Sequence, residues 1–171
     1  MKRPNPTEYA SYYDGYVKLV PHENILEVLN EQVIYLKSVL SSVEVNKESY
    51  RYAPDKWTIK EVVGHMVDTE RIMAYRALCV ARGEKNALPG YDDKEYVANA
   101  NFNTTSLAAL TNHFELVRAA NLALFNTFDE EAFSKIGSAN KSDISVRALL
   151  FIIAGHTLHH LNVINEKYLL T

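Results

Sequence analysis

Cysteine is almost missing from this chain of 171 residues, which has only Cys79. A lone thiol excludes an internal disulfide, a cysteine-rich zinc site and a Cys-x-x-Cys redox pair, and it fits a reducing cytoplasm best. Glycine and proline are scarce too, at six and five, so few positions force a helix to break. No run of eighteen consecutive apolar residues occurs, and Met1 to Pro6 leads into no apolar segment, so neither a membrane span nor a signal peptide is expected. An excess of positive charge is also lacking. Lys and Arg number 18 against 21 Asp and Glu, a net charge of -3, which gives no basic footprint for nucleic acid. The expectation is a soluble cytoplasmic protein with neither nucleic acid nor membrane among its partners.

What is present is helical periodicity in a chain that is 47% hydrophobic, long enough to bury a core without staples. Ile25, Leu26, Leu29, Val33, Ile34, Leu36 and Leu40 recur at three- and four-residue steps and predict a first long helix. A second is announced by the capping box Thr58-Ile59-Lys60-Glu61 and is stopped by Gly83 after Arg82. A third, capped by Thr105 or Ser106, carries Leu107, Leu110, Phe114 and Val117 inward and ends near Phe128. A fourth runs from about Ser145 to Tyr168. With no strand pattern, these predict an all-α, four-helix bundle forming one domain over 1–171. Residues 1–20 are expected as an arm laid over it, with Tyr9, Tyr12, Tyr13 and Tyr16 as packing groups. The connection from Gly83 to Thr105 is long and holds Leu88-Pro89-Gly90-Tyr91-Asp92, with one short helix near Lys94 to Ala98. Asp129 to Ser142 reads as a polar connection.

The fourth helix carries His156-Thr157-Leu158-His159-His160 inside an apolar stripe. Residues four apart lie about 40° apart round a helix with Cβ atoms about 5–6 Å apart, so His156 and His160 can aim at one point. His159 falls toward the polar edge with Asn162 and Glu166. Two buried imidazoles side by side need many hydrogen-bond partners in a place that has few, which favours a metal over two core histidines. Of the other histidines only His65 has an apolar stripe around it, while His113 reads as a surface residue. Gly64 and Gly155 precede His65 and His156, and helix-interior glycines commonly mark close approach of backbones. If the second and fourth helices touch there, His65, His156 and His160 converge.

Three imidazoles without a fourth protein ligand make an open, catalytic type of metal site. Imidazole suits zinc, nickel, copper or iron. Spacing excludes a zincin, because Thr157 stands where a glutamate is needed, and a di-iron bundle, because Glu-x-x-His does not occur. Asp68, one turn from His65, is a candidate for orienting a histidine or for general base work, although pairing with Arg71 explains it equally well. Arg76 lies inward three turns beyond His65, where a salt bridge within the bundle is the stronger expectation and an anionic substrate group the weaker. Cys79 reads as core packing.

These residues resemble the DinB/YfiT-like superfamily of four-helix-bundle metalloenzymes over nearly the whole chain. The resemblance is carried by Arg3-Pro4-x-Pro6-Thr7-Glu8-Tyr9, by Tyr52-x-Pro54-x-Lys56-Trp57-Thr58-Ile59-Lys60-Glu61-Val62-x-Gly64-His65-x-x-Asp68-x-Glu70-Arg71, by Leu88-Pro89-Gly90-Tyr91-Asp92, and by Gly155-His156-x-x-His159-His160. It implies that His65, His156 and His160 bind one divalent metal ion, usually zinc or nickel. It also implies either thiol S-transfer, with bacillithiol, mycothiol or glutathione as co-substrate, or metal-dependent hydrolysis, on a small electrophilic molecule. A metal-binding or stress-response module without catalysis is the alternative. Bundles of this kind often pair through a helix face, so a homodimer is expected.

Overall fold

Apolar positions spaced for one buried face, bounded by side chains that satisfy orphan amides, dictate where the helices lie. In the computed structural model, which describes residues 1–169, all four long helices form. The elements are α1 (Asp14–Leu19), α2 (Ile25–Ser41), α3 (Ile59–Ala81), α4 (Asp93–Ala100), α5 (Leu107–Phe125), α6 (Glu130–Ser134), β1 (Ile136–Ala139), β2 (Ser142–Ser145) and α7 (Val146–Val163), which loosens into a π-helical turn over Ile164–Leu169. The capping box opens α3: the Glu61 amide donates to Thr58 Oγ1 at 3.1 Å and the Thr58 amide to Glu61 Oε2 at 2.8 Å. Gly83 adopts a φ of 84° just past its end, a conformation that glycine accepts without strain. Ser106, rather than Thr105, caps α5, and Ser145 caps α7.

The stretch read as a polar connection contains α6 and an antiparallel hairpin, with Ile136 opposite Ser145 and Ala139 opposite Ser142. Asn140 and Lys141 turn it with φ of 50° and 64°, the left-handed pair that a two-residue hairpin turn needs. Strands of four residues are too short to show an alternation that distinguishes them from loop. Leu88, from the long crossover, joins the hairpin edge through its amide to Ser138 O and its carbonyl to the Asn140 amide.

Each of α2 and α3 packs on both α5 and α7, so α2 sits diagonally from α3, and α5 from α7, across the bundle. Side-chain pairs fix the directions. Thr58 meets Asn103 at the start of α3 and α5, and Arg82 meets Thr127 at their ends, so these two run parallel and the long crossover is their return. Tyr168 reaches the Trp57 carbonyl while Lys135 reaches that of Ala81, so α7 runs against α3. Helix α7 is long and apolar enough to cross a membrane by length and composition, but it is largely buried against α1, α2 and α3.

Two apolar cores lie at opposite ends of the bundle, one around Val28, Met73 and Phe151 and the other around Leu36, Met66 and Phe114. A buried polar layer separates them. Arg118, fully buried, grips the Glu70 carboxylate with Nε and Nη2 at 2.6 and 2.7 Å, and donates also to Leu29 O, Gln32 Oε1 and Thr157 Oγ1. All four long helices are joined through this one guanidinium.

The N-terminal arm is pinned by Glu8, which accepts hydrogen bonds from Arg147 and from Ser145 Oγ. Burial by itself would raise the Glu8 carboxyl, but Arg147, the Asn5 amide and Ser145 outweigh it and hold the group at about 2 against an ordinary 4.5. The unfolded chain therefore takes up the proton first on acidification. Up to about 3 kcal/mol of stability is complete above pH 4.5 and drains away as the pH falls toward 2. Denaturant titrations of Glu8→Gln at pH 6 and pH 3 should show a gap to the parent protein that shrinks at the lower pH. A gap independent of pH would show that the ion pair contributes little.

Candidate metal centre

Because α3 and α7 run antiparallel in contact, a histidine in the second turn of α3 faces a histidine pair in the second half of α7. The Nε2 of His156 lies 2.9 Å from that of His65 and 3.0 Å from that of His160. One ligand atom from each of the three comes within 4.8 Å of the others. Nitrogens bound at about 2.0–2.1 Å to a common ion lie about 3 Å apart or slightly more, so the arrangement fits a metal. Burial pushes all three imidazoles down, His65 to about 4 from 6.5 and the other two well below their ordinary value, with neighbouring histidines adding repulsion. At neutral pH the rings are therefore uncharged, which is the form that ligates metal.

Aromatic groups close over the rings. Trp57 lies 4.8 Å from His65 between centroids, and Tyr16 packs edge-on to His156 and His159 at 5.5 and 5.4 Å. His159, partly buried, also meets the His160 ring edge-on at 5.0 Å between centroids, so it supports the cluster from beside it. The two glycines act differently from the expected backbone contact of two long helices. A Cβ on Gly155 would sit 2.0 Å from the Tyr16 carbonyl oxygen, and one on Gly64 would sit 2.4 Å from the Phe102 ring. Each makes room for a segment outside the four long helices, the arm in one case and the crossover in the other.

Cavities flank the cluster on two sides. One, of about 290 Å³, is lined by His65 and His156 together with Tyr13, Tyr16, Tyr91 and Arg76. The other, of about 480 Å³, is lined by His159 and His160 with Trp57, Tyr52, Lys56 and Lys94. The arm tyrosines Tyr12, Tyr13 and Tyr16 thus form cavity wall, where the sequence favoured plain packing. Asp93 lines the first cavity and its negative charge acts on His65, Tyr16 and Tyr91.

Asp68 is placed elsewhere. It lines neither cavity, burial raises its carboxyl, and the charges acting on it are His113 and Arg71 on the α5 side. His113 itself is exposed and meets Arg71 at 2.8 Å. Arg76 is buried but makes no salt bridge among the described residues. It donates to the Pro89 carbonyl at 2.7 Å and lies 5.8 Å from the Tyr91 ring centre. Cys79 packs at the edge of the first core. Sequence reasoning overlooked Tyr91, Asp93, Trp57 and the Glu70–Arg118 pair. A charged residue on an inward-facing helical position was a usable signal for Glu70 and Arg118, but the loop residues gave no periodic sign of facing the histidines.

Comparison with known proteins agrees with this architecture. No curated protein matches the sequence. Among solved structures, YfiT from Bacillus subtilis, described as a probable metal-dependent hydrolase with an unusual four-helix bundle topology, aligns with a TM-score of 0.77 at 20% identity, over 96% of this chain and 90% of that one. A mycothiol-dependent maleylpyruvate isomerase aligns with a TM-score of 0.68 at 16% identity, over 85% of this chain and 61% of that one. These likenesses establish the fold. The family model of the DinB superfamily matches residues 34–164, a span that takes in α3 and α7 with all three histidines, and the chain belongs to that superfamily.

Proposed function

We propose that this protein is a metal-dependent enzyme in which His65, His156 and His160 hold one divalent ion, zinc or nickel, beside a cavity that admits a small electrophilic substrate. The observation that carries this reading is the convergence of three uncharged ring nitrogens with open space next to them. Structural zinc sites are normally closed by four protein ligands, whereas three leave a position for water or substrate. When bound, the ion would supply Lewis acidity that allows a thiol or a water to lose its proton near neutral pH. Tyr16 and Trp57 keep solvent off the rings. Asp93 lines the cavity and its charge reaches His65, which supports it, rather than Asp68, as the carboxylate that takes up the released proton.

Thiol S-transfer and hydrolysis share this first step, and the fold neighbours include a protein described as a probable metal-dependent hydrolase and a mycothiol-dependent maleylpyruvate isomerase. A metal-holding module without catalysis is the second reading; the two cavities beside the histidines favour the enzyme. The test is elemental analysis of protein purified without added metal, followed by assays with bacillithiol, mycothiol and glutathione against chlorodinitrobenzene and with activated esters, each with and without chelator. About one ion per chain and a chelator-sensitive reaction support the enzyme. Failure to take up metal removes the proposal, and metal without any turnover leaves the module.

A further inference from the structure

The chain buries two arginines in its helical bundle and treats them differently. Arg118 has a bidentate carboxylate partner and acceptors from other helices. Arg76, also buried, at 3% exposure, has no carboxylate within salt-bridge distance among the described residues. Its guanidinium offers five N–H groups, and the protein engages two, one with the Pro89 carbonyl and one in a long 3.5 Å contact with Met73 Sδ. A buried cation without a counter-charge is costly to keep. This one lies on the wall of the 290 Å³ cavity that also holds His65 and His156.

The surroundings point the same way. The Tyr91 ring lies against the guanidinium, and the Tyr91 hydroxyl is held by Thr69 Oγ1 at 2.9 Å, one turn from His65. Arg76 follows His65 by eleven residues on the same helix, which is about 16 Å along the axis. Side chains on a helix lean toward its N-terminus, so the guanidinium is brought nearer to the histidines than that axial separation, and Arg76, His65 and His156 all line the one cavity. Among the described residues the acid that lines this cavity is Asp93, which acts on His65, so the cavity is polarised, with negative charge at the histidine end and positive charge at the far end.

We infer that this cavity takes a short organic acid, its carboxylate paired with Arg76 and its reactive end presented to His65 and His156. The inference rests on the enzymatic reading of the three-histidine site and names its substrate class. A guanidinium reads a planar carboxylate through two parallel N–H bonds, and a neutral amide of the same shape does not replace it.

The test is titration calorimetry of the full-length protein, metal-loaded and chelator-treated, with hexanoate against hexanamide and 4-phenylbutyrate against 4-phenylbutyramide. The acids should bind at least tenfold more tightly than the amides in both preparations. Arg76→Met should abolish the preference without changing metal content, and Arg76→Lys, which keeps the charge but loses the fork, should weaken it severalfold. If Arg76→Met does not fold, Arg76→Lys and Tyr91→Leu carry the comparison. Acids that bind no better than amides, or a preference unchanged in the Arg76 and Tyr91 variants, would overturn the inference. Because the chelator-treated arm needs no metal, loss of the acid preference with intact metal uptake sinks this inference alone. Loss of metal uptake with the preference intact sinks only the metal reading.

Discussion

Arg118→Met is expected to destabilise the fold by about 3–5 kcal/mol, a drop in melting temperature on the order of 10 °C. The substitution keeps much of the side-chain volume, so the loss comes from electrostatics. Glu70 is only 2% exposed, and its carboxylate would lose both short bonds from Arg118, keeping only Asn121 at 3.2 Å. Leu29 O, Gln32 Oε1 and Thr157 Oγ1 would each lose the hydrogen bond that Arg118 donates as well. Pairing the change with Glu70→Leu removes the stranded charge and should restore about half of the loss, since the remaining acceptors stay unmatched. Thermal melts of the two single variants and the double variant give the coupling directly. An Arg118→Met protein that melts within a degree or two of the parent would show that the network does not tie the four helices together.

The second large effect concerns the metal. His160→Ala should reduce metal affinity by more than a hundredfold, because losing even a group that only orients a ligand costs 10–100-fold and His160 supplies a nitrogen 3.0 Å from that of His156. Elemental analysis should fall from about one ion per chain to near zero. A binding ion stabilises the folded state according to its concentration over its dissociation constant, so chelator should lower the melting temperature of the parent and leave the variant unmoved. Protons compete for the same nitrogens, but burial holds His65 near 4 and pushes its two partners well below the ordinary imidazole value. Metal should therefore stay bound well below pH 6.5 and be released as the pH falls toward 4. Release centred at an ordinary imidazole value, or undiminished metal in His160→Ala, would place the ion elsewhere.

Much of this molecule could be read one residue at a time. The Thr58–Glu61 box, Gly83 and Ser145 mark helix ends because capping is local, set by atoms within one turn. His156 and His160 face one point because a helix repeats every 3.6 residues. The hairpin at Ile136–Ser145 escaped notice, since its strands have no length in which to show a pattern and its turn, Asn140-Lys141, lacks the usual glycine. The polar layer was also legible in part. A glutamate and an arginine on inward positions of two predicted helices, Glu70 and Arg118, are each improbable alone in a core and natural as a pair.

The sites of closest approach were harder. Gly64 and Gly155 announced that something would come near, but not that Phe102 and the Tyr16 carbonyl would be the visitors. Asp68 and Arg76 illustrate the same gap in opposite directions. On a helical wheel both sit near the inward face, yet the charges that act on Asp68 are those of Arg71 on its own helix and His113 on α5, while the crossover leaves Arg76 facing a cavity.

What the sequence determined by itself was the four long helices, the caps that open α3 and α7, and the histidine pair on α7, because these depend on contacts between residues a few positions apart. Only the tertiary structure decided which helices are neighbours, that α3 and α5 run parallel, that His65 joins the pair, and that an arm and a loop build the cavity walls around them. Those outcomes depend on how apolar faces and buried charges from distant parts of the chain satisfy one another at once, and no local spacing encodes that.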